Sequence, residues 1–198
     1  EAEETSDETS DETVKRQLFL LDSNGMVAPQ MVEVPVPESK EVAKQALEYL
    51  VKDGPVSNVI PNGFQAVLPA GTQILGVNIK DGTAIADFSE EFKEYQAEDE
   101  QKILQAITWT LTQFDSIDKV QLRINGYDQD VMPVDGTPIG DGFSRADGIN
   151  VDTGTMTDLT NSVGVTVYFL AQSSHGNYYV PVTKRVQNEE NNITATIK

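Results

Sequence analysis

Residues 68–88, LPAGTQILGVNIKDGTAIADF, constrain the fold more tightly than any other part of the chain. Two apolar runs alternate with a period of two, the signature of half-buried strands. Leu75, Val77 and Ile79 share one side of the first run, and Ala84, Ala86 and Phe88 share one side of the second. Between them stands Asp81-Gly82, a two-residue turn in which both positions need positive φ. Glycine meets that need freely, and aspartate tolerates it. Gly71 suits a further turn before the first strand. The pair is therefore an antiparallel hairpin with an apolar face, and other elements must cover that face.

Two helical patterns can supply the cover. Residues 39–55 read SKEVAKQALEYLVKDGP, with Ser39 placed to cap the start and Val42, Ala46, Leu47, Leu50 and Val51 on one face. Lys52, Gly54 and Pro55 form the expected stop, with Gly54 as its left-handed residue. The second helix spans about 98–114. Glu98, Asp99 and Glu100 face the positive end of its dipole, and Ile103, Ile107, Thr110, Leu111 and Phe114 form a stripe. Trp109 lies off that stripe and reads as an exposed interface residue.

Strands are also expected at 16–22, 31–37 and 119–126, the last closed by Gly126. In 31–37, Val32, Val34 and Val36 alternate with Glu33 and Pro35. Proline at an alternate position marks an edge strand or a strand end, and Val34 and Pro35 would belong to an edge that a neighbour can use. The order is β-β-α-β-β-α-β, an α+β fold with two helices packed on a mixed sheet.

Around this unit the chain divides further. Residues 1–14, EAEETSDETSDETV, carry only acidic charges and read as a disordered spacer. The first domain covers 15–150, and 151–162 is a linker. Residues 163–198 repeat the opening of the first domain. Val167 with YFL (168–170) matches LFLL (18–21), Pro181 and Val186 match Pro29 and Val34, and Ile193 and Ile197 take the places of Val42 and Ala46. Half of such a domain cannot close its own core. Its hairpin either borrows packing from the first domain or is loosely ordered.

The net charge of −18 argues against nucleic acid as a partner, because neutralising phosphates needs clustered Lys and Arg. The absence of cysteine excludes thiolate metal sites, disulfides and thiol nucleophiles. No apolar run reaches the length of a membrane span.

Candidate chemistry is sparse. Asp87 with Glu90 or Glu91 could form an acid–base pair of the kind that hydrolyses glycans. Each nevertheless has a structural reading: Asp87 shares an outward face with Thr83 and Ile85 or is held by nearby backbone donors, and Ser89 ends the strand as a helix N-cap with Glu90 and Glu91 in the first helical turn. His175, the single histidine, lies in a turn beside Ser173 and Ser174 and reads as solvated. Asp135, Asp141 and Asp147, each followed by glycine, together with Asp152 raise weak calcium binding, but their spacing fits no calcium loop. The expectation is no catalytic residue, no cofactor and no metal.

With these pieces placed, the chain resembles the GerM family of sporulation and spore-germination proteins. The likeness rests on KDGP (52–55), residues 68–92, TLTQF (110–114), KVQLRING (119–126), SRADGIN (144–150) and the tandem second copy. It implies a domain similar to ring-building motifs and a non-enzymatic scaffold in a trans-envelope complex. It also implies a lipoprotein anchored outside the cytoplasmic membrane, in the space between mother cell and forespore, with channel or ring subunits as partners. The lipidated cysteine expected of the family is not in this sequence. A module that binds peptidoglycan is the alternative.

Overall fold

The computed structural model describes residues 12–37, 41–154 and 160–187. Strands β1 (Thr13–Leu21) and β2 (Val27–Pro35) form an antiparallel ribbon. Helix α1 (Val42–Glu48) follows, then β3 (Ile74–Lys80) and β4 (Thr83–Phe88). Helix α2 (Glu100–Leu111) leads to β5 (Lys119–Ile124) and the short strands β6 (Tyr127–Asp128) and β7 (Phe143–Ser144). A long ribbon of β8 (Ser162–Ser173) and β9 (Gly176–Gln187) closes the described chain.

The α+β class is as expected, and the second sheet is mixed. Its order is β3-β4-β5-β6, with β7 also on β5; β4 and β5 run parallel and the other pairs antiparallel. The first ribbon is not part of that sheet. Asp81 (φ 49°) and Gly82 (φ 77°) make the turn that the sequence demands, and Ala84, Ala86 and Phe88 are fully buried. Their opposite numbers are not. Val77 pairs with Ala86 and Ile79 with Ala84, on the same side of the sheet, yet Ile79 stays 43% exposed because β3 is the border strand.

Helix α1 is shorter than its periodicity suggests. Ser39 lies outside the described residues, and Glu41, the residue before the helix, makes no side-chain cap. At the far end Asp53, not Gly54, takes the left-handed conformation (φ 59°). Gly54 is required for another reason: a Cβ there would lie 3.0 Å from the Val51 carbonyl oxygen. Gly71 has the positive φ expected of it (80°).

Helix α2 is buried on nearly every side, because it is sandwiched between the first ribbon and the mixed sheet, with residues 143–149 closing over it. Sequence periodicity reports one apolar stripe, whereas three layers meet here. Polar residues on the helix and just beyond its end cover the outer edge of β1. Thr110 Oγ1 accepts from the Phe19 N–H (3.1 Å), and the Gln113 amide both accepts from the Gln17 N–H and donates to the Gln17 carbonyl. Gln65 completes the cover by exchanging backbone bonds with Leu21.

Candidate functional site

Trp109 is not an exposed anchor. It is 4% exposed, its ring packs 5.6 Å from Phe19, and the Arg145 guanidinium lies 4.5 Å above it. Its indole N–H donates to the Gly148 carbonyl. Facing away from the apolar stripe does not expose it, since the 143–149 segment covers that side. Val34 is likewise core, at 1% exposure. Pro35 is exposed at the end of β2, and its carbonyl accepts from the Gln45 side chain (2.8 Å).

The acidic candidates are tied into the backbone. Asp87 accepts from the Gly126 N–H (2.9 Å), where Gly126 makes the turn after β5 with φ 80°. Glu90 reaches Lys93 (2.6 Å) and the Asn125 amide (3.0 Å). The Ser89 hydroxyl holds Glu91 below the usual carboxylate range. The helix expected after Ser89 is only a short 3-10 turn, 90–93, and Ser89 does not cap it: its oxygen accepts from the Gln73 N–H instead. Asp147 forms a capping box with Ser144 across the turn 145–147. Among the described residues no group of three or more His, Cys, Asp or Glu is placed to hold a metal ion. The described hydrogen bonds of the exposed His175 are to Ser173 and Ser174 in its own turn.

Sequence reasoning missed two polar hubs. Glu100, read as a dipole partner, is fully buried. It accepts from the Tyr95 hydroxyl (2.8 Å) and from the N–H groups of Val134 (3.1 Å), Asp135 (2.7 Å) and Thr137 (2.9 Å). Burial alone would raise its pKa, but these donors outweigh it and hold the carboxyl below its ordinary value. The glutamate fastens the 131–140 loop to the start of α2.

Asn150 is the second hub, and it joins the two repeats. Its side-chain amide donates to the carbonyls of Val27 and Pro181 (both 2.7 Å) and accepts from the Val27 N–H (2.9 Å). Its own N–H donates to Gln105 (2.9 Å), and its φ of 46° suits asparagine better than a bulkier residue. Around it, Thr183 bonds Ile149 and Asp152, Tyr178 meets the edge of Phe64, and the Tyr178 hydroxyl donates to Asp22 (2.8 Å). Burial and that bond push the Tyr178 hydroxyl up to about 12. Of the two fates open to the second hairpin, packing on the first domain is the one observed, through β9 with Val180 and Val182 buried.

The alanine variant of Asn150 loses three side-chain bonds and strains the backbone, for an expected cost of about 2 kcal/mol. Hydrogen exchange should speed up selectively at Val27 and Thr183. Asn150→Gly removes the strain but not the bond loss, and should recover only part of the protection.

The repeat is exact in register. Phe19 lies opposite Pro29, and Tyr168 opposite Pro181. The burial differs. Phe19 packs on Trp109 of α2 and Leu20 is fully buried, whereas their counterparts Tyr168 (59%) and Phe169 (47%) are exposed, together with Leu170 (63%).

The family model described as Germane, sporulation and spore germination, matches residues 17–130. The chain is 60% identical over 187 residues to the spore germination protein GerM of Bacillus subtilis strain 168, covering 93% of this chain and 50% of the relative. It thus spans about half the length of the curated relative it matches. The solved tandem GerMN domains of the sporulation protein GerM from Bacillus subtilis superpose with a TM-score of 0.87 at 60% identity, over 94% of this chain and 66% of that one. The first GerMN domain alone gives 0.63 at 64% identity, over 67% and 98%. With a family match across more than half its length and such identity along nearly all of it, the chain belongs to the GerM family of sporulation and spore-germination proteins.

Proposed function

We propose that the chain is part of a non-catalytic assembly protein of the sporulating cell envelope. It stands outside the cytoplasmic membrane, lipid-anchored, and docks with channel or ring subunits between mother cell and forespore, as ring-building domains do. The observation that carries this reading is the division of its surface. The candidate acids Asp87 and Glu90 are engaged by backbone and side-chain donors, while large apolar side chains stand exposed on ordered strands: Leu75 and Ile79 on β3, Tyr168 and Leu170 on β8. Exposed apolar groups on rigid elements are what an interface uses.

The test places a photocrosslinking amino acid at Leu75 or Leu170 of the full-length, membrane-attached protein in sporulating cells. Crosslinks to defined envelope channel or ring subunits support the reading. Retention on isolated sacculi, without protein crosslinks, overturns it in favour of a peptidoglycan-binding module.

A further inference from the structure

The outer edge of β3 is open among the described residues, whereas that of β1 is covered by Thr110, Gln113 and Gln65. The two-residue turn fixes which groups are free. Lys80 and Thr83 flank the turn and bond to each other, so Asn78 and Gly76 also face β4. The N–H and C=O groups of Val77 and Ile79 therefore point away from the sheet. Their side chains lie on the core side at its border, with Ile79 43% exposed. From Thr72 to Ile79 the segment carries no charge, in a chain of net charge −18. Natural edges are normally defended by charge, proline or a bulge. Here the defences are a bulge at Leu75 and the terminal Lys80, which leave Val77 and Ile79 unguarded.

The same edge leads into a concavity of about 360 Å³ that begins at Ile74 and lies against the end of α1. Glu48 and Asp53 line it, with Lys52 as the single cation among its described lining residues. Thr72, in the wall and 6% exposed, has a buried hydroxyl with no hydrogen-bond partner. Two carboxylates to one ammonium, beside an unpartnered hydroxyl, suit a cationic side chain.

We propose that β3 receives an extended segment of another protein as an added strand. That segment is apolar at the positions facing Val77 and Ile79, and a lysine or arginine at one end occupies the 48–55/71–74 concavity. Main-chain bonds would supply affinity and the concavity specificity. The proposal rests on the assembly reading and names the surface that it uses. A second copy of this chain is disfavoured, because each copy would bring its own acidic surface to the contact.

The probes are two blocked decapeptides of alternating valine and serine, one with arginine at the C-terminus and one with arginine at the N-terminus. Each is titrated at millimolar concentration into the isotope-labelled protein. Binding by one of them should slow hydrogen exchange at Val77 and Ile79 specifically. Replacing its arginine by glutamate should weaken binding about tenfold, the worth of one charge-assisted hydrogen bond. Ile79→Lys alters an exposed residue and should abolish the effect with the fold intact. No change at Val77 and Ile79 with either peptide overturns the proposal. So does a dimer, seen by sedimentation, that Ile79→Lys dissociates, since it gives the edge to a second copy. Crosslinks to envelope subunits that persist in the Ile79→Lys protein overturn the proposal while leaving the assembly reading intact.

Discussion

Replacing Glu100 by alanine should cost about 3–5 kcal/mol, because it strands buried donors that are paired with a charge in the native protein. Three backbone N–H groups and the Tyr95 hydroxyl converge on this one side chain. For a domain of this size the loss should lower the melting midpoint by roughly 10 °C. Glu100→Gln keeps one oxygen acceptor but turns an NH₂ group toward the donors, so it should fall between the two. The pH dependence follows from the depressed pKa. Between the carboxyl's ordinary value of 4.5 and its lower value in the fold, the unfolded chain binds more protons than the native one. The stability due to Glu100 is therefore present above that ordinary value and is lost as pH falls through the folded one. Melting midpoints across that acidic range should fall less steeply in Glu100→Gln than in the wild type. Equal slopes would show that other groups govern acid unfolding.

Local chemistry was legible in the sequence and long-range polar contacts were not. The Asp81-Gly82 turn could be read because positive φ at two successive positions admits few residues. The repeat could be read because Pro29 and Pro181 keep their places opposite Phe19 and Tyr168. Gly54 was correctly singled out as a glycine position for the wrong reason, since close approach to a carbonyl leaves the same mark as a left-handed turn. Glu100 and Asn150 could not have been found by periodicity. Their partners lie at least 31 residues away, apart from Tyr95, and a single glutamate at a helix start looks the same whether it faces solvent or a returning loop. Among the proposed interface residues, Pro35 is at the surface but Trp109 and Val34 are not. Distance from an apolar stripe measures exposure only when a helix has one covered side, and α2 has several.

That geometry turns Trp109→Ala into a test of the core. The ring bridges Phe19 of β1, the Arg145 guanidinium and the Gly148 carbonyl, so alanine leaves a cavity between three segments distant in sequence. The expected loss is about 3–5 kcal/mol. Trp109→Phe, which keeps much of the packing but not the indole N–H, should lose far less. The damage should also spread in one direction. Arg145 is placed by the Trp109 carbonyl (3.2 Å) and the Thr112 hydroxyl (2.7 Å), and the segment it opens runs directly to Asn150. Loss of the indole should therefore loosen the junction as well as the core, with faster hydrogen exchange at Thr183, which bonds Ile149. Denaturant unfolding together with exchange at that amide checks both parts. A Trp109→Ala protein with wild-type stability and an unchanged Thr183 amide would mean that the indole is not packed as described, and would return Trp109 to the candidates for an exposed interface.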